Sequence, residues 1–266
     1  MDRIGWDDLP EGVRNAIQSQ TGPVLKAHTA SEGFNCEVAA SLHTPTGKIF
    51  IKGLRNDHPR AWTQHMEAMI NPWVLQVTPR LLWQTQADGW DILGFEHIKG
   101  HHADYSPGSQ DLPKVIQAMR QLSQIPAPDL PLKQAEQRWA GYTDDKPTLQ
   151  LLSGNHLLHT DLNPHNILVN STARIVDWAW PTRGVAWIDP ACLALMLMAA
   201  GHTPQQAETW ARQIPAWSLA CEQAIDTFAT VSSRLWEEIA QADPAPWKQR
   251  LATAAAGWLR HRSHSG

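Results

Sequence analysis

The sequence predicts an α+β chain of two lobes: a small antiparallel β-sheet lobe with one crossing helix, followed by a larger, mostly helical lobe. Three observations predict it. Alternating apolar runs, punctuated by Gly, Pro and Asp turns, crowd into the first hundred residues. Helical spacing dominates beyond the polar connection Lys99-Gly100-His101-His102. Two short apolar strands within residues 156–178 deliver polar side chains at their ends. The expected division is an N-terminal lobe over 1–98 and a C-terminal lobe over 99–266.

Asp8-Leu9-Pro10 opens a first helix to about Gln20, with acidic residues at its cap and Pro in its first turn, and Gly22-Pro23 ends it. Three β-like runs follow, over 24–29, 36–44 and 48–54, the last two joined by the turn Thr44-Pro45-Thr46-Gly47. Asp57-His58-Pro59 starts the crossing helix, which Asn71-Pro72 stops after Ile70. Two further strands, 80–86 and 90–98, turn at Asp88-Gly89 and complete a five-stranded sheet. In the second lobe helices are expected over 112–124, 132–141, 189–200, from Thr203-Pro204-Gln205-Gln206 onward, over 216–242 and over 246–262.

Composition narrows the function. The chain has 266 residues, 42% of them hydrophobic, and a formal net charge of −4, which gives no basic surface for nucleic acid. Three widely spaced cysteines without a C-x-x-C pair argue against a disulfide framework or zinc knuckle. MDRIGWDDLPEG lacks the apolar run of a signal peptide, and the longest apolar run, 191–201, is too short to cross a bilayer. The expectation is a cytoplasmic protein, monomer or dimer, without nucleic-acid or membrane partners. Asn170-Ser171-Thr172 reads as a hairpin turn. The 14 Trp read as packing residues in a chain with 4 Phe and 2 Tyr.

The chemistry concentrates in His156–Trp178, HLLHTDLNPHNILVNSTARIVDW. One strand ends in His159-Thr160-Asp161, the other in Ile175-Val176-Asp177, and Asn166 closes the loop between them. H-x-D-x-x-x-x-N followed by an apolar strand and an Asp is the protein-kinase catalytic pattern. In it Asp161 is the base toward a substrate hydroxyl, and Asn166 and Asp177 are hard oxygen ligands for magnesium. Lys52, within the apolar strand Ile49-Phe50-Ile51-Lys52, needs a partner, and Glu67 in the next helix is placed to be one. Such a pair holds an ammonium against the α- and β-phosphates of a nucleotide. The polar loop with Ser31, Gly33 and Asn35 is a candidate phosphate cover, and Glu96 and Ile98 of the linker are candidate backbone contacts to the nucleobase. His159 reads as a scaffold residue bonding backbone.

These residues resemble the aminoglycoside phosphotransferase family, the small-molecule kinases that share the protein-kinase-like fold. The resemblance is carried by His159-Thr160-Asp161-Leu162-Asn163-Pro164-His165-Asn166-Ile167-Leu168-Val169, by Ile175-Val176-Asp177-Trp178 and by Gly184-Val185-Ala186-Trp187-Ile188-Asp189-Pro190-Ala191. Lys52, Glu67 and Gly100 fall where the family pattern puts them, and the resemblance covers about residues 20–200. It implies an ATP- or GTP-dependent and magnesium-dependent kinase. The implied acceptor is a small hydroxylated molecule: an antibiotic such as an aminoglycoside or nucleoside, a sugar or an amino alcohol. An antibiotic-resistance or a biosynthetic role would follow.

Thr160 and His165 stand where the family usually has Gly, and Ala179 where some relatives are acidic. Asn163 and His165 are therefore the candidate acceptor-side residues. Acidic residues line the acceptor site in aminoglycoside-modifying members. Here Glu208, Glu222, Asp226, Glu237, Glu238 and Asp243 lie on the last helices, where such charges read as solvated faces, so aminoglycosides are not favoured over other acceptors. Two alternatives stay open: a metal-dependent hydrolase built on His156, His159, Asp161 and His165, and a non-catalytic nucleotide-binding pseudokinase. The segment between Asp177 and Gly184 is too short for a regulated peptide-docking loop.

Overall fold

The computed structural model describes residues 3–30 and 36–264. It divides into two compact units, Met1–Gly100 with Arg174–Trp180, and His101–Ala173 with Pro181–Gly266. The architecture is the expected mixed α+β one, with an antiparallel sheet and many helices.

The first unit is built on α1 (Glu11–Thr21), β1 (Lys26–Thr29), β2 (Val38–Thr44), β3 (Gly47–Arg55), α2 (Ala61–Ile70), β4 (Leu81–Ala87) and β5 (Trp90–Glu96). The strands lie in the order β1-β2-β3-β5-β4, and every pair is antiparallel. Strand alternation separates the two faces of the sheet. Val38, Ala40, Leu42, Ile51 and Ile92 pack with Val13 and Ile17 of α1, whereas Ala39 and Leu54 pack with Cys36 and Phe50. Asp88 and Gly89 turn β4 into β5 with φ of 47° and 79°, the left-handed pair that a two-residue hairpin requires. Both helices begin later than the sequence suggests. Pro10 occupies the cap of α1 behind a 3-10 turn over Trp6–Asp8, and Pro59 bars helical backbone from the residue before it.

The second unit contains β6 (His101–His102), α3 (Leu112–Leu122), β7 (Lys133–Gln134), α4 (Ala135–Arg138), β8 (His156–Leu158) and β9 (Ile167–Val169). Asn170 closes a turn, its N–H donating to Thr172 O at 2.9 Å, and the chain runs through β10 (Ala173–Ile175) to β11 (Thr182–Gly184). α5 (Ile188–Ala199), α6 (Pro204–Ala211), α7 (Glu222–Ala242) and α8 (Pro246–Ser263) follow. Buried residues run from Ile188 through Met198, so α5 has no polar face and forms the middle of this unit. Thr203 and Gln206 cap α6 reciprocally, the capping box expected there.

Two helical readings are corrected. The helix expected over 132–141 is only Ala135–Arg138, because Lys133–Gln134 pair with β11 as a parallel strand and Gly141 falls in a 3-10 turn. The helix expected over 216–242 is interrupted: Pro215–Leu219 form a 3-10 turn and α7 starts at Glu222. Among the described residues no helix is long and apolar enough to cross a membrane.

Gly94 shows how closely the first sheet is packed. It lies opposite Ile51 on one side and Trp83 on the other, and a Cβ there would run into the Trp83 ring. Gly94→Ala should therefore destabilise the protein by about 1–3 kcal/mol, and Trp83→Leu should recover much of that loss. Urea denaturation of the two single variants and the double variant checks it; additive losses would show that the contact does not limit this position.

Candidate active site

Lys52 has the strand parity of Phe50 and Leu54 and so belongs to the sheet face that carries Cys36. Its Nζ donates to Glu67 Oε2 at 2.6 Å and to Asp177 Oδ1 at 2.7 Å. The three side chains retain only 13%, 7% and 17% of their exposure. Burial alone would drive the ammonium toward its neutral form, but Asp177 and Glu67 outweigh it and hold the Lys52 pKa above its ordinary value. Burial pushes the Glu67 carboxyl up, against the pull of Lys52 and of a bond from the Trp178 backbone. The Cys36 thiol, on the same face, is likewise raised by burial, with Lys52 as the main opposing charge. Asp177 arrives with φ of 65°, a left-handed backbone that an Asp tolerates better than most residues. Arg174 Nη1 donates to Gln76 O at 2.8 Å and Ile175 N to Val77 O at 2.7 Å, which fixes the run leading to it.

Of the other nucleotide-side candidates, Ser31, Gly33 and Asn35 lie outside the described residues. Glu96 is exposed at the end of β5 and spends its N–H on Arg80 O at 2.9 Å, while Ile98 is half-buried beyond it.

In the second unit the polar loop is tied from below. Asp189, 2% exposed at the start of α5, accepts the backbone N–H of His159 through Oδ2 and that of Thr160 through Oδ1, both at 2.8 Å. Burial pushes its carboxyl up, and these bonds offset that only in part. They hold Thr160 at φ of 68°, which is costly for a β-branched residue. His159 is buried, and its Nδ1 accepts the N–H of Asp161 at 3.3 Å, the scaffold position expected of it. Tyr105 braces the loop by donating its hydroxyl to Leu162 O at 3.1 Å.

The Asp161 carboxylate is oriented by two amides. Asn163 Nδ2 donates to Oδ1 and Asn166 Nδ2 to Oδ2, each at 2.9 Å. Asn163 also accepts the N–H of His165 at 3.0 Å, capping the 3-10 turn Pro164–Asn166. The amide of Asn166 thus turns its nitrogen toward Asp161 and leaves its oxygen as the hard donor. An amide oxygen is a hard donor of the kind magnesium takes. His165 is exposed, and its ring lies 5.3 Å from that of His102 in an edge-on contact. His156, His159, Asp161 and His165 do not form a metal cluster: among the described residues no group of three or more His, Cys, Asp or Glu could hold an ion.

The C-terminal acids are not all solvated faces. Glu208 is 1% exposed and accepts from Arg212, Arg262 and Trp258 Nε1. Arg262 also pairs with Asp226 at 2.7 Å and with Glu222. Lys248 pairs with Asp243, and Tyr142 donates to Glu238.

Asp189 is the site residue whose role is hardest to see in the sequence. Asp followed by Pro at a helix start reads as an ordinary cap, and nothing local shows that its oxygens serve a loop 29 and 30 residues earlier. Asp189→Ala leaves two backbone N–H groups unpaired and should cost roughly 2–4 kcal/mol, whereas Asp189→Asn keeps one acceptor and should cost about half as much. Chemical denaturation checks the order; an Ala variant within about 0.5 kcal/mol of the parent would show that the bonds are dispensable.

No family model matches the chain, and no curated protein matches it by sequence. Solved structures do. A thermostable mutant of aminoglycoside phosphotransferase APH(4)-Ia, in a ternary complex with ADP and hygromycin B, is 15% identical with a TM-score of 0.62, covering 96% of this chain and 98% of its own. Choline kinase LicA from Streptococcus pneumoniae is 14% identical with a TM-score of 0.61, covering 94% and 98%. Aminoglycoside phosphotransferase APH(3'')-Id from Streptomyces rimosus, in complex with ADP and streptomycin, is 12% identical with a TM-score of 0.58, covering 90% and 97%. At such identities the likeness is one of fold: the chain has the protein-kinase-like fold of small-molecule kinases.

Proposed function

We propose that this chain is a magnesium-dependent O-phosphotransferase that moves the γ-phosphoryl group of ATP or GTP to a hydroxyl of a small molecule. The observation that carries the reading is the pairing of Lys52 with Glu67 and Asp177, in a chain that also presents a carboxylate, Asp161, oriented by Asn163 and Asn166. The fold adds support, as do the ADP complexes of two proteins that share it. In this reading Lys52, steadied by Glu67, neutralises the α- and β-phosphates, and Asn166 and Asp177 hold the magnesium. Bound there, the ion would offset charge on the phosphate oxygens.

The acceptor hydroxyl attacks the γ-phosphorus, the bond from that phosphorus to the β–γ bridging oxygen breaks, and the nucleoside diphosphate leaves with that electron pair. The hydroxyl proton passes to Asp161. The two amide donors hold the carboxylate against rotation. Their nitrogens face Asp161, so Asn163 serves the base in this reading more directly than it serves the acceptor. Three cysteines without a disulfide suit a reducing cytoplasm, where an acceptor antibiotic, sugar or amino alcohol would be met. The two alternatives explain less: the hydrolase lacks a metal cluster among the described residues, and a pseudokinase has no use for an oriented Asp161.

Asp161→Ala should lower kcat by about 10²–10⁴-fold and leave nucleotide binding nearly unchanged. Lys52→Ala should weaken nucleotide binding as well. Acceptor-dependent release of ADP, with nucleotide-induced thermal stabilisation as the binding readout, checks both. An Asp161→Ala variant that turns over an acceptor at the parent rate would overturn the assignment.

A further inference from the structure

The second unit holds a cation that the proposed reaction leaves unused. Arg138 ends α4, directly after β7, and the short strands tie it to the catalytic loop. Thr182 of β11 pairs with Lys133 on one side and with Leu158 on the other, and Leu158 leads straight into His159–Asp161. The Arg138 guanidinium is half-buried. Its contacts are a long hydrogen bond from Nη1 to Thr182 Oγ1 at 3.4 Å and the neighbouring Trp139 ring at 5.7 Å. Arg55, Arg212, Arg234 and Arg262 each have a carboxylate within 4.0 Å; Arg138, among the described residues, has none.

The two acids whose charges reach it already have hydrogen-bond partners of their own. Asp161 and Asp189 are close enough for their charges to act on Arg138, but the oxygens of Asp161 accept from Asn163 and Asn166, and those of Asp189 from the loop backbone. Burial lowers the Arg138 pKa from its ordinary value, and the nearby Cys192, Asp161 and Asp189 only partly offset that. A guanidinium has five N–H donors, and four of these have no acceptor within the described residues. None of these Arg138 donors is sealed from solvent, so an anion can take the place of water on them.

We propose that Arg138 recognises an anionic group on the acceptor, so that the preferred acceptor is a hydroxylated carboxylate or phosphate ester. The inference rests on the phosphotransferase reading for the word acceptor, but the anion site itself does not. A planar guanidinium matches either oxyanion through paired N–H donors. It would also repel a polycation brought to the same place.

The test uses sets of alcohols that differ only in charge: glycerol, glycerate and glycerol 3-phosphate, and glucose, glucuronate and glucose 6-phosphate, with hygromycin B as the polycation. Binding is measured calorimetrically with a non-hydrolysable nucleotide present, and transfer by acceptor-dependent ADP release. In at least one set the carboxylate or the phosphate should bind about 30- to 100-fold more tightly than its neutral partner, and which of the two wins identifies the anion. Arg138→Gln should erase that preference without changing nucleotide binding, and Arg138→Lys should retain part of it. If Arg138→Gln does not fold, Arg138→Met and Arg138→Lys carry the same comparison. Equal binding across every set, tighter binding of hygromycin B, or a preference that survives Arg138→Gln would overturn the proposal. Arg138-dependent anion binding without any transfer would uphold the anion site and defeat the phosphotransferase reading. Transfer to a neutral or cationic alcohol, indifferent to Arg138, would do the reverse.

Discussion

A buried ammonium cannot stand alone, and much of the first unit follows from that constraint. Lys52 sits on an apolar sheet face, where an unpaired charge would cost several kcal/mol. One carboxylate, Glu67, comes from the adjacent helix; the other, Asp177, comes from 125 residues further along the chain. This ion pair is one reason that Arg174–Trp180 belongs with the first unit although the sequence around it belongs with the second. Once there, the segment is held by Arg174 on Gln76, Ile175 on Val77, and the edge-on contact of Trp180 with Trp62 at 4.9 Å.

A different constraint, strain, acts in both units. Thr160 and Asp177 are both non-glycine residues with left-handed backbone, in a chain that has glycines elsewhere for that purpose. Each such residue costs about 1–3 kcal/mol and persists only where surrounding bonds over-determine it. For Thr160 those bonds come from Asp189, whose burial is itself tolerated because both of its oxygens are engaged. Strain and buried charge offset one another through two short hydrogen bonds. The result is a loop whose next residue, Asp161, has little freedom left once Asn163 and Asn166 have taken its oxygens.

These two devices explain why some of the molecule is legible in its sequence and some is not. Lys52 stands out because a charge breaks an alternating apolar strand, and the 15 residues to Glu67 span one turn and two helical turns, a local relation. The five-stranded sheet is legible for the same reason, since period-two patterning and turn residues are properties of short windows. Asp189 and Arg138 are not, because what matters about each lies across strand pairings that no window contains. Lys133–Gln134 shows the limit well: helical in pattern, it becomes a strand only because β11 offers it an edge.

The distribution of acids carries the last step. From the sequence, six carboxylates on the final helices could have lined a site for a polycation. Glu208, Glu222 and Asp226 are instead gathered around Arg262, with Arg212 and the Trp258 indole sharing Glu208, and Asp243 is paired with Lys248. Those acids hold α6, α7 and α8 together, and what they offer a ligand is much reduced by the cations they already serve. Arg138, in the same unit, has one long hydrogen bond and no carboxylate within 4.0 Å among the described residues, and its charge lies within electrostatic reach of Asp161. On the proposed reading, in which Asp161 takes the acceptor's proton, the nearby guanidinium tips the balance of local charge toward an acceptor that brings negative charge with it.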